Sequence, residues 1–104
     1  MEPYVTKDYI SALEQVLSRR YDRNEFCLDG YQECSVCLQY DNGKWVVFDA
    51  ERGNRYDEVF CITVLEACLN VIRKMTHQAE DISSMERELI VLLKSETGDT
   101  LKSA

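Results

Sequence analysis

The chain has 104 residues, 45% of them hydrophobic, and a formal net charge of −7. That length predicts one domain with a modest core, spanning 1–104, with residues 1–5 and 96–104 expected to fray. The acidic balance excludes a bare nucleic-acid binder, which needs a basic footprint, and suits a protein whose partner is basic.

The opening, MEPYVTKDYI, has neither a basic n-region nor an apolar h-region, and no apolar run reaches the length of a membrane span. The expected location is the cytoplasm, with no membrane partner. Five cysteines, Cys27, Cys34, Cys37, Cys61 and Cys68, follow no secretion signal, so they are expected as reduced thiols, mostly core filler.

Residues 6–22 carry Tyr9, Ala12, Leu13, Val16 and Leu17 at helical spacing, with Thr6 placed as N-cap and Asp8 in the first turn. A connector containing Gly30 follows over 23–31. Residues 33–40 alternate: Cys34, Val36, Leu38 and Tyr40 are expected on a buried face, Glu33, Ser35, Cys37 and Gln39 on the other. Asn42-Gly43 then marks a type I′ turn, which needs two positive φ angles, into a second strand, Lys44 to Ala50. That turn sets Tyr40 opposite Trp45, Leu38 opposite Val47 and Val36 opposite Asp49.

A second tight turn at Gly53-Asn54 would set Phe48 against Val59 and Val46 against Cys61, apolar on apolar. A four-residue turn would set Phe48 against Asp57 instead. The tight turn places Asp49 opposite Glu58, a like-charge pair. It also puts Val46, Phe48, Val59 and Cys61 together on a second sheet face, for which a helix is the expected cover.

Thr63 and Glu66 form a capping box before a second helix whose expected buried face is Leu65, Cys68, Leu69, Ile72 and Met75, flanked by Val64 and Val71. Polar THQAED interrupts. A third helix is expected over 82–95, with Ile82, Met85, Leu89, Leu92 and Leu93 as its stripe. The expected fold is thus α+β, in the order α-β-β-β-α-α, a three-stranded antiparallel meander packed with helices. Double-stranded-RNA-binding domains share a similar order, but they need basic phosphate contacts that this chain lacks.

Cys34-x-x-Cys37 has the spacing of a zinc knuckle or redox pair. Yet it falls in an alternating strand, where positions three apart face opposite ways, and the single histidine, His77, is remote in sequence. No metal site and no cofactor are expected. Cys27, in the connector, is a candidate reactive thiol without a histidine partner. His77 suits a dipole partner at the end of the second helix. Asp49, Glu51, Asp57 and Glu58 are the candidate acid/base pair or cation site, but Arg52 and Arg55 are at hand to satisfy them. No phosphate loop, nucleophile elbow or metal-helix motif occurs.

The run WVVFDAERGNRYDEVFCITVLEAC, Trp45 to Cys68, resembles small bacterial immunity proteins of polymorphic or contact-dependent toxin systems. The matching pieces are the aromatic strand Trp45 to Phe48, the turn Glu51-Arg52-Gly53, the strand Tyr56 to Phe60 and the helix start Glu66-Ala67-Cys68. The resemblance implies a non-enzymatic protein that neutralises a cognate toxin domain by stoichiometric binding, and a basic nuclease would suit the acidic charge. Partner contacts are then expected at Asp49, Glu51, Arg52, Asn54, Arg55, Tyr56, Asp57 and Glu58, flanked by Glu33 and Asp41. The competing readings are a regulatory adaptor and a small carboxylate-dependent hydrolase.

Overall fold

The structure is a computed structural model that describes residues 6–94; the expected fraying at residues 1–5 and 96–104 lies outside them. Helix α1, Thr6–Ser18, is followed by a single 3-10 turn, Arg23–Glu25. Strands β1 (Phe26–Cys27), β2 (Ser35–Asp41), β3 (Lys44–Glu51) and β4 (Asn54–Cys61) come next, then helices α2 (Val64–Met75) and α3 (Ala79–Leu93). The fold is mixed α+β. The strands form one sheet in the order β1-β2-β3-β4.

The expected three-stranded meander is present as β2 to β4, but the sheet has a fourth strand. Phe26 and Cys27 pair in parallel with Val36 and Cys37. A two-residue strand shows no alternation, so the connector gave no sign of it. Helix α1 ends at Ser18, short of residue 22, because the Arg20 and Tyr21 amides both turn back to the Leu17 carbonyl. Its expected face is the buried one: Tyr9, Ala12, Leu13, Val16 and Leu17.

Two tight turns set the meander. At the first, Asn42 and Gly43 have φ of 51° and 82°, and the register sets Tyr40 opposite Trp45 and Leu38 opposite Val47. At the second, the positive-φ pair is Arg52-Gly53 (54° and 78°), not Gly53-Asn54. Glu51 therefore faces Asn54, and Asp49 faces Tyr56 rather than Glu58. A bulge then absorbs one residue at Asp57, whose φ is 52°, so that Val47 meets Val59 and Trp45 meets Cys61. The bulge moves Val59 and Cys61 onto the helix side of the sheet. The like-charge pair expected between Asp49 and Glu58 does not form.

Helix α2 lies across β2, β3 and β4, while α1 packs on α2 and α3. Thr63 caps α2 by accepting the Glu66 amide at 3.1 Å, and the Glu66 carboxylate accepts the Ile62 amide at 3.4 Å. The buried face of α2 is Val64, Ala67, Cys68, Val71 and Ile72. Leu65, Leu69 and Met75 lie at its margin, so the face is rotated from the expected one. Helix α3 begins at Ala79, ahead of residue 82, with Glu80 and Asp81 in the first turn where the dipole favours carboxylates; Met85, Leu89 and Leu93 are buried. His77 is exposed in the linker beyond the α2 C-cap, Thr76, and the last turn of α2 carries Arg73 and Lys74 instead.

Strand β2 starts at Ser35. Cys34 precedes it in the left-handed region, φ 58°, and is exposed instead of buried. Tyr40 lies on the helix side as expected but is 59% exposed, resting edge-on against Trp45 at 4.8 Å. The other sheet face holds Cys37, Val46, Phe48 and Ala50, all buried. Its cover is the segment from Leu28 to Cys34, not a helix. Tyr31 stacks on Phe48 at 6.2 Å, and the Gln32 amide donates to Cys37 Sγ at 3.4 Å. The Gln32 side chain pins this cover by donating to the Phe26 carbonyl (3.3 Å) and to Ser35 Oγ (2.8 Å).

Phe48 has no exposed surface although its cover is a loop and not a helix or a second sheet. Phe48→Ala should lower unfolding free energy by about 3–5 kcal/mol, the range for a large aromatic removed from a packed site. Urea denaturation measures the loss; a change below about 1 kcal/mol would mean the loop cover repacks freely.

Candidate partner-binding site at the β3–β4 turn

The tip of the β3–β4 hairpin is held from outside itself. The Glu33 carboxylate accepts the backbone amides of Arg52 and of Gly53, the latter at 3.1 Å, and the Tyr31 hydroxyl at 2.6 Å. These bonds favour the ionised carboxylate. Tyr31 first, then the Gly53 and Arg52 amides, hold the Glu33 carboxyl below its ordinary value, and Glu33 in turn pushes the Tyr31 hydroxyl up. A two-residue turn with both φ positive disfavours an L-residue such as Arg52. Capture of both turn amides by one carboxylate offsets that cost.

The eight expected contact residues separate into those the fold uses and those it leaves at the surface. Asp49 points to the helix side and accepts from Lys74 Nζ at 2.9 Å, tying β3 to α2. Arg55 lies on the opposite face, 4.9 Å above the Phe48 ring, and reaches Asp41 and Glu58, each at 3.3 Å. It is a cation over an aromatic ring bracketed by two carboxylates, so Arg55, Asp41 and Glu58 help cover the far face. Asn54 donates from its side chain to the Arg52 carbonyl at 3.3 Å, within the turn. Glu51 and Arg52 form a loose exposed pair at 3.9 Å. Tyr56 is 45% exposed and Asp57 is exposed.

Asp49 and Glu58, the pair an acid/base mechanism would use, project from opposite faces of the sheet and each has a cation of its own. The structure does not bring them to one substrate. What it does bring together, on the helix side beyond the end of α2, is an open groove of about 670 Å³ lined by Glu25, Cys34, Asp49, Glu51, Tyr56 and Asp57. Among the described residues, no group of three or more histidine, cysteine or acidic side chains is arranged to hold a metal ion. No helix of the described residues is long and apolar enough to cross a membrane.

Sequence reasoning gave Glu33 only a flanking place and missed Tyr31 and Glu25. The Glu33 clamp spans 19 residues to Arg52, and no local pattern announces an acceptor for a distant turn. No family model matches the chain, and no curated protein and no solved structure is found similar to it.

The clamp has a pH signature. A carboxyl whose folded pKa is lowered contributes stability above its unfolded value, 4.5, and loses it as pH falls through the lower folded value. Glu33→Gln should therefore be less stable than the parent protein at neutral pH. The gap should close as pH falls below the ordinary carboxylate range. Denaturation midpoints across that range check the sign; a gap that persists unchanged into acid would assign the effect to shape instead of charge.

Proposed function

We propose that this chain is an immunity protein that neutralises a cognate bacterial toxin domain by stoichiometric binding in the cytoplasm, without catalysis, cofactor or metal. The reading begins from the resemblance of Trp45 to Cys68 to such proteins. The observation that carries it in three dimensions is the clamped tip. Glu51, Asp57 and the Tyr56 ring stand beside an acidic groove, on a turn whose backbone is fixed by Glu33. A preset loop with an aromatic anchor and a carboxylate rim suits protein recognition, because little ordering remains to be done on binding.

The net charge of −7 favours a basic toxin surface, such as that of a nuclease, by accelerating encounter and discouraging acidic partners. Within the expected contact set, the fold's own ion pairs direct the choice. Glu51, Arg52, Asn54, Tyr56 and Asp57 are the residues offered to the toxin, while Asp49, Arg55 and Glu58 act from behind by holding the hairpin.

Co-expression with the toxin encoded beside it should rescue cells and yield a purifiable complex; failure of both rejects the immunity reading. Charge reversal of Glu51 and Asp57 to lysine should weaken the complex by about tenfold or more, mostly through slower association at low salt, with the circular dichroism spectrum retained. Unchanged affinity in the double variant would move the interface off this hairpin.

A further inference from the structure

Cys27 and Cys37 are register partners in the parallel β1–β2 pair. Their side chains therefore leave the sheet on the same face, and neighbouring strands place their Cα atoms about 4.8 Å apart. That separation lies inside the range a disulfide spans, about 4.4–6.8 Å. Cys27 packs directly on the buried cluster that contains Cys37. The two thiols differ in access: Cys37 is fully enclosed, whereas Cys27 is partly exposed. Their surroundings differ too. Cys27 Sγ donates to Asp29 Oδ1 at 3.2 Å, while Cys37 Sγ receives the Gln32 amide at 3.4 Å and lies as close to the Gln32 carbonyl.

We propose that Cys27 and Cys37 form a reversible oxidation site that takes a small disulfide of the glutathione type, with Cys27 as the attacking and Cys37 as the resolving thiol. Cys27 loses its proton to solvent and its sulfur attacks one sulfur of the small disulfide. The S–S bond of the reagent breaks, one small thiolate leaves, and a mixed disulfide remains on Cys27. Cys37 then loses its proton and attacks Cys27 Sγ, expelling the second small thiolate. Two protein thiols are oxidised to one disulfide, one small disulfide is reduced to two thiols, and the two protons released match the two thiolates formed. Enclosure of Cys37 dictates the order, since only Cys27 can meet the reagent. The Gln32 amide steadies the Cys37 thiolate as it forms.

Burial raises both thiols above their ordinary value, so exchange is slow at neutral pH and faster in mild alkali. The bond would close a covalent ring around the segment from Leu28 to Val36. That ring contains Tyr31, Gln32 and Glu33, the residues that cover Phe48 and hold the β3–β4 turn. Cys34 is outside this geometry. It is exposed and precedes β2 in a left-handed conformation, so it is a competitor for reagent.

The test uses the full chain with Cys34→Ser, which removes the exposed competitor without touching the core. Incubation with oxidised glutathione in mild alkali, quenching with an alkylating agent and peptide mapping should show a transient adduct on Cys27. A Cys27–Cys37 linked peptide should follow, reversed by dithiothreitol. In the same background, Cys27→Ser should give no linked peptide. A glutathione adduct that stays on Cys27 while Cys37 is present would overturn the proposal. So would a Cys27 that remains fully alkylatable, or linkage through Cys61 or Cys68. The Cys34→Ser protein alone decides, so failure of the Cys27→Ser variant to fold does not affect the outcome.

Discussion

Val46, Val47 and Phe48 are consecutive in β3 and none has any exposed surface. Side chains alternate across a strand, so three enclosed neighbours require a cover on both faces of the sheet. On one face the cover is α2, backed by α1 and α3. On the other, among the described residues, the cover is the loop from Leu28 to Cys34, joined by Arg55, which lies over the Phe48 ring between Asp41 and Glu58. A loop in that position must satisfy its own backbone and polar groups. Gln32, Ser35 and Glu33 do so, and the hydrogen bonds that settle this loop also fix the β3–β4 turn. The candidate surface is thus a by-product of burying β3 twice.

Much of this was legible from local pattern. The helical stripe of α1, the Asn42-Gly43 turn, the β2–β3 register and the Thr63 cap each rest on chemistry within a few residues. The errors have a common physical source, which is interaction across long sequence separation. Gly53 announced a turn, but Glu33 determines which neighbour shares it. Apolar matching across a tight turn announced β4, but the bulge at Asp57 lets the two ends of the hairpin keep different registers. The VVF run announced double burial, yet nothing in a polar connector says that it will be the lid. The buried face of α2 takes in small Ala67, which is fully enclosed, where the apolar stripe had pointed to Leu65 and Leu69.

The same distinction sorts the charged residues. From sequence, Asp49, Glu51, Arg55 and Glu58 are equivalent members of one acidic and basic run. In space Asp49 and Lys74 join strand to helix, and Arg55 lies over an aromatic ring between Asp41 and Glu58. Those interactions hold the fold together. Glu51, Tyr56 and Asp57 carry no such duty, and this division supports a recognition role for the tip more than any count of charges does.

The bulge at Asp57 has one more consequence. It is an expansion joint between two registers: inside it, Trp45, Val47, Val59 and Cys61 are locked by the helices; outside it, the strands are held by the turn, by Glu33 and by the ion pairs of Asp49 and Arg55. Substitutions at Glu51, Tyr56 and Asp57 therefore need not be compensated in the core. A binding surface built on such a joint can follow a changing partner quickly, while the domain that carries it stays the same.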